Sequence, residues 1–184
     1  GFDGTSNHDA ELDRLALEKP VHFDAVDTAQ DDVALLAFTS GSTGAPKAVM
    51  CSTGRMAMLG TINYRGLVRD DVAYSAMPLF HGNALFAAFA PAAYVGCTFA
   101  MRRKFSASGF LPDVLKFDAT YFNYVGRSLS YILAQPEVPE EKKTRLRVVF
   151  GTEASAHDRA EFERVVLRVP HGGPIESGRV REVA

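Results

Sequence analysis

Val33-Ala-Leu-Leu-Ala-Phe38 runs directly into Thr39-Ser-Gly-Ser-Thr-Gly-Ala-Pro-Lys47, and Ala48-Val-Met-Cys51 follows without a break. An uninterrupted apolar run bounded by turn formers is the pattern of a strand covered on both faces. The expectation is therefore a buried strand, a loop and a second short strand. The loop concentrates chemistry. Thr39, Ser40, Ser42 and Thr43 bring hydroxyl donors, Gly41 and Gly44 allow positive φ and close approach of backbone N–H groups to an anion, and Lys47 adds a point charge. That set suits a polyphosphate. It is not a Walker-A loop, because the G-x-x-x-x-G-K spacing counted from Gly41 would need glycine where Pro46 stands, and Pro46 opposes immediate entry into a helix. A flexible Ser/Gly linker is the competing reading, but linkers seldom lie between two apolar strands or end in Pro-Lys.

Outward from this loop, strand and helix signals alternate. Ser52 or Thr53 can cap a helix running towards Leu67, residues 72–77 read as a strand, and residues 85–94 read as a helix despite Pro91. Residues 97–101 are strand-like, and Ser106 or Ser108 can open a helix ending near Phe117. A Tyr- and Phe-rich strand over 119–125, a helix over 127–134, a charged loop over 136–143 and a strand over 147–150 follow. Ser155-Ala-His-Asp158 has capping-box spacing ahead of a helix to about Val166. Upstream, residues 1–32 form a polar lead-in with a short amphipathic helix near Glu11 to Leu17, ended by Pro20. No repeat of fixed period occurs, so the fold class is α/β, a layered and largely parallel sheet with flanking helices.

Composition narrows the function. The 184 residues carry 20 Lys+Arg against 22 Asp+Glu, a formal charge of −2, with the two signs interspersed, so duplex nucleic acid is disfavoured and no nucleic-acid partner is expected. At 47% hydrophobic and 23% charged residues the chain is globular, not disordered. Cys51 and Cys97 make neither a disulfide framework nor a metal spacing, which favours a reducing, cytoplasmic compartment. No Asp, Glu, Lys or Arg occurs from Val72 to Met101, but Pro78, His81, Gly82, Asn83, Pro91 and Gly96 interrupt the stretch. A membrane span needs about 20 mostly apolar residues, so no transmembrane segment is expected. The start, Gly1-Phe-Asp-Gly, lacks both an initiator Met and the form of a secretory signal, and reads as internal sequence.

Three segments carry a family resemblance. Phe38-Thr-Ser-Gly-Ser-Thr-Gly-Ala-Pro-Lys-Ala-Val49 resembles the signature loop of the adenylate-forming (AMP-binding) superfamily, which contains acyl-CoA synthetases, luciferases and peptide-synthetase adenylation domains. Ala48, where most members have Gly, is similar to some long- and very-long-chain fatty acyl-CoA synthetases. Met77-Pro-Leu-Phe-His-Gly-Asn83 resembles the motif that ends in an aromatic residue or His beside the acyl tunnel, and Gly151-Thr-Glu-Ala-Ser155 resembles the segment lining the adenine pocket. Pro-Leu-Phe-His is unlike the amino-acid-binding pattern of peptide synthetases.

The resemblance implies part of the large N-terminal domain of an acyl-CoA synthetase-like fold and a two-step reaction with ATP, Mg²⁺ and coenzyme A on a fatty acid. It implies that Thr39, Ser40, Gly41, Ser42, Thr43, Gly44 and Lys47 hold phosphates, with Lys47 and His81 catalytic and His81 orienting or gating the carboxylate. Gly151, Thr152 and Glu153 would line the adenine side, although Glu153 also suits a helix N-terminus and His81 an exposed loop. The family's Mg²⁺-binding Tyr-Gly-x-Thr-Glu run is matched weakly by Gly172-Gly-Pro-Ile-Glu176, so Glu176 is either a metal ligand or a tail carboxylate. The chain thus divides into the lead-in 1–32, a partial AMP-binding core 33–166 and a weakly matching tail 167–184, with the N- and C-terminal parts of the same protein as missing partners. A cytoplasmic or membrane-peripheral location follows from a fatty-acid substrate. The rival readings are an aryl or amino-acid adenylating enzyme and a non-catalytic nucleotide-binding remnant. Phe122, Tyr124, Val125 and Leu129 are read as plain core.

Overall fold

The computed structural model describes Arg14, Leu17, Glu18, residues 24–39, 47–63 and 66–166, and the backbone of residues 180–182. Strands β1 (Val33–Thr39) and β2 (Lys47–Ser52) pair antiparallel and stand apart as a two-stranded ribbon. Helix α1 (Thr53–Asn63) follows, with Ser52 Oγ accepting from the Arg55 N–H at 3.2 Å as the sequence suggests.

The remaining strands form one parallel sheet in the order β4-β3-β5-β6-β7: β3 (Val72–Ser75), β4 (Thr98–Met101), β5 (Tyr121–Val125), β6 (Val148–Thr152) and β7 (Val180–Glu182). Between them lie helix α2 (residues 82–95), α3 (Ala107–Phe117), α4 (Ser128–Leu133), a 3₁₀ turn (Pro139–Lys143) and α5 (Ala156–Val165). Ser106 and Ser155 cap α3 and α5, accepting from the N–H groups of Gly109 and Asp158.

The connection β3-α2-β4 steps one way along the sheet, and the three later connections step the other way. Right-handed crossovers then put α2 on one face and α3, α4 and α5 on the other. The buried side chains sort accordingly. Ala73, Tyr121 and Phe150 pack with Ala87, Ala88 and Ala92 of α2, while Tyr74, Phe122, Tyr124 and Val149 pack with Phe110, Val114, Leu129 and Phe162. Phe122 and its neighbours make a ring cluster, with Phe110 and Phe122 centroids 4.8 Å apart. Phe122, Tyr124 and Leu129 are core, as the sequence reading has them.

Pro91 is accommodated by a change of helical winding. Residues Leu85–Phe89 form a π turn, in which the Ala90 N–H reaches the Leu85 carbonyl. Proline has no N–H to offer the Ala87 carbonyl, and the Tyr121 hydroxyl, rising from the sheet, donates to it instead. The helix read over 85–94 survives Pro91, with the Tyr121 hydroxyl of β5 serving the carbonyl that proline cannot.

One expectation is overturned. The run from Val33 to Phe38 is not covered on both faces: Phe38 is 71% exposed and Met50 70%, and both lie on the face that also holds Leu36 and Ala48. A two-stranded ribbon has no second layer of its own, and α1 packs against one side only, where Cys51 is buried opposite Leu35. The pairing is antiparallel because the number of residues between the two strands is too small for the crossover that a parallel pair needs.

Candidate functional site

In an open parallel sheet, ligands gather outside the carboxyl ends of adjacent strands whose connections leave towards opposite faces. Here those strands are β3, followed by α2 on one face, and β5, followed by α4 on the other. The crevice they define is bordered by residues 76–83 after β3, Gly126 and Arg127 after β5, and Glu153 after β6. Arg102, Arg103 and Lys104 follow β4 on the same edge. With Arg102 neutralised by Asp113, the remaining cations Arg103, Lys104 and Arg127 outnumber Glu153 and make this rim a setting for an anion. Asp113 also accepts from Tyr74 Oη at 2.9 Å. Burial, and then the Asp113 carboxylate, push the Tyr74 phenol far above its ordinary pKa, so it stays a neutral donor.

His81 stands at the mouth of the crevice in extended conformation (φ −83°, ψ 124°) and caps α2, its Nδ1 accepting from the Asn83 N–H at 3.2 Å. Asn83 then reaches across to β5. Its Nδ2 donates to the Tyr124 carbonyl at 3.4 Å, and its Oδ1 accepts from Asn123 Nδ2 at 2.6 Å. The carbonyl can only accept, which orients Asn83, and Asn83 in turn orients Asn123. What remains is Asn123 Oδ1, buried without a hydrogen-bond partner, as is Tyr124 Oη. Burial raises the pKa of that phenol, with Arg159 partly opposing. A buried acceptor left unpaired costs about 1–3 kcal/mol.

At the neighbouring strand end, Glu153 has φ 70° and Gly126 φ 57°, and the Gly126 N–H donates to the Thr152 carbonyl at 3.1 Å. Left-handed backbone in a glutamate costs of order 1 kcal/mol and gathers at functional sites. Gly151 has a packing reason of its own: a Cβ there would lie 2.2 Å from the Tyr124 carbonyl oxygen. Any side chain would force β5 and β6 apart.

The expected site residues thus fall into separate groups. His81, Gly151, Thr152 and Glu153 are all at the carboxyl edge of the parallel sheet. Thr39 and Lys47 are paired across the base of the ribbon's turn. Ser40, Gly41, Ser42, Thr43, Gly44 and Glu176 lie outside the described residues. Among the described residues no group of three His, Cys, Asp or Glu could hold a metal ion, and no helix is long and apolar enough to cross a membrane. Asn83, Asn123, Arg103, Lys104 and Arg127 were not expected from the sequence. The signal that finds them is positional, since each lies on or just beyond the end of a parallel strand or at the start of the helix after it.

A family model described as AMP-binding enzyme matches residues 3–177. The chain belongs to that family. It is 52% identical over 151 residues to a steroid-22-oyl-CoA synthetase of Rhodococcus jostii, a match covering 81% of this chain and 27% of that protein. A medium/long-chain fatty-acid–CoA ligase of Mycobacterium tuberculosis is 43% identical over 174 residues, covering 88% of this chain and 35% of the relative. Among solved structures, ATP-bound MatB of Rhodopseudomonas palustris superposes with a TM-score of 0.70 at 25% identity, over 84% of this chain and 31% of that one. The chain spans about a third or less of the length of these relatives.

Proposed function

We propose that this chain is the phosphate- and carboxylate-handling part of an AMP-forming acyl-CoA synthetase that acts on an apolar carboxylic acid, a fatty acid or a steroid side-chain acid. The similarity to two CoA-forming enzymes of such acids carries this reading, and the basic carboxyl edge of the sheet supports it. In the reaction, a substrate carboxylate oxygen attacks the α-phosphorus of ATP, an acyl–O–P bond forms, and pyrophosphate leaves with the bridging oxygen. The thiol of coenzyme A then adds to the acyl carbon and displaces AMP. Such transfers depend on positioning and on neutralising charge, not on a protein nucleophile.

In this reading Thr39, Ser40, Gly41, Ser42, Thr43, Gly44 and Lys47 hold the phosphates, and His81 orients the substrate carboxylate. Gly151, Thr152 and Glu153 border the adenine. Glu176 would be the ligand for Mg²⁺, which would supply neutralisation of the phosphate charge. The lead-in, core and tail boundaries at residues 32 and 166 belong to the same proposal, as does a cytoplasmic setting at the periphery of membranes, where such acids partition. Catalysis then needs the remainder of the relatives' length.

The test is ATP–pyrophosphate exchange with a panel of fatty and steroid acids. It compares this chain with a longer polypeptide extended through the part of the relatives it does not span, each also as Lys47→Ala. Exchange by the extended protein alone, with an apolar acid and reduced at least about 100-fold in Lys47→Ala, is the expected result. A folded extended protein that binds ATP and exchanges with no carboxylate would make the non-catalytic reading the better one.

A further inference from the structure

His81 is held by more than its own loop. Its Nδ1 accepts from the Asn83 backbone N–H, so in the neutral ring the proton sits on Nε2, which is left as the donor. Residue 83 is in turn fixed from β5, mainly through the 2.6 Å bond from Asn123 Nδ2, with the Tyr124 carbonyl a more distant partner at 3.4 Å. Asn123 is 1% exposed and leaves its own Oδ1 unpaired. An apolar residue would suit such an interior position better, so what Asn123 contributes must lie in its donor.

We propose that Asn123 is a positioning residue for the proposed reaction: acting through Asn83, it fixes His81 in the tautomer that offers Nε2–H to the substrate carboxylate. The chain of contacts is short and directional. β5 sets Asn123, Asn123 sets the first turn of α2, and that turn sets the imidazole. The pair also joins β5 to the first turn of the helix that follows β3, so the ring is referenced to the rigid sheet and not to the exposed loop before it.

Two isosteric changes on one hydrogen bond separate this role from general packing. Asn123→Asp removes the donor, whereas Asn83→Asp keeps both the acceptor for Asn123 and the backbone N–H for His81. In ¹⁵N spectra of the imidazole at alkaline pH, the unaltered chain and Asn83→Asp are expected to show a single Nε2–H tautomer. Asn123→Asp is expected to show a mixture of the two. If Asn123→Asp does not fold, judged by amide dispersion, Asn123→Ala takes its place. In the extended protein, Asn123→Ala should lower kcat for exchange about tenfold with KM for ATP unchanged, and should add less than about twofold in a His81→Ala background.

The enzymatic arm rests on the synthetase reading, but the spectroscopic arm does not. An unchanged ring spectrum in a folded Asn123 variant overturns the inference, and so does an undiminished effect in the His81→Ala background. A ring that responds, in a protein that adenylates no carboxylate, supports the hold of Asn123 on His81 and sinks the adenylation reading.

Discussion

Phe122 and Phe38 both sit in strands of apolar residues, yet Phe122 is 1% exposed and Phe38 71%. The first belongs to a central strand of a parallel sheet with helices on both faces, the second to a ribbon with a helix on one side. Apolar content fixes what a strand can bury, and the connections around it fix what it does bury. Each βαβ unit of the sheet brings its own covering helix, so the sheet is closed by local chain. The ribbon has α1 against one side only.

The largest effects are expected where that closure is complete. Phe122→Ala should destabilise the chain by about 3–5 kcal/mol in urea unfolding, because the ring contacts Tyr74, Phe110, Tyr124 and Phe162 and its loss leaves a cavity between sheet and helices. The same change at Phe38 should stay within about 0.5 kcal/mol. Equal losses at the two positions would break the contrast between sheet and ribbon.

Next comes the amino edge of the sheet, where Arg147 clamps the buried Asp71, donating through Nη2 to one carboxylate oxygen and through Nε to the other at 3.2 Å. Burial disfavours the Asp71 charge, but Arg147, the Val68 N–H and Thr120 outweigh it and hold its pKa below the ordinary value. A carboxyl whose folded pKa lies below its unfolded value of about 3.9 stabilises fully above that value and loses the contribution as pH falls through the folded one. Stability should therefore drop below about pH 4, and Asp71→Asn should remove part of that dependence. At neutral pH the substitution should cost about 2 kcal/mol, less than for a fully buried pair because Arg147 is about one-third exposed.

A smaller effect tests the joint between α2 and the sheet. Tyr121→Phe removes the phenol that serves the Ala87 carbonyl, where Pro91 has no N–H to offer, and should cost about 1–2 kcal/mol. Amide exchange should rise within the π turn before it rises in α3, since only α2 leans on that bond.

Much of the parallel sheet could be read from the chain. Ser106 and Ser155 announced their helices, the aromatic strand over 121–125 took its predicted place, and Pro91 did not break its helix. Those features are local or periodic. Two others were out of reach for physical reasons. Whether the run at Val33 is buried depends on partners distant in sequence, which an apolar pattern cannot name. The Asn83–Asn123 bond links residues 40 apart, and its meaning depends on the strand order β3-β5, which local signals do not encode. His81 and the Gly151–Glu153 segment were singled out by resemblance, but their sharing one sheet edge came from topology. The segment from Thr39 to Lys47, assigned to phosphates only in the proposed function, is the reverse case, explicit in sequence while most of it lies outside the described residues.

The smallest effect probes the ribbon itself. Leu36 and Met50 face each other across β1 and β2 on the exposed side, a cross-strand pair with no second layer above it. Replacing each by Thr keeps strand propensity while removing apolar area, so a double-mutant cycle isolates the pair. Each single change should cost no more than about 0.5 kcal/mol, with a coupling of about 0.2–0.5 kcal/mol, the low end of the range for a cross-strand contact. Sedimentation of the unaltered chain should show association that rises with concentration and weakens in the double variant, because this face is apolar and open. A loss above about 2 kcal/mol from either single change would mean that the face is buried in solution. The ribbon would then be a closed layer like the sheet, with its cover supplied from outside the described residues.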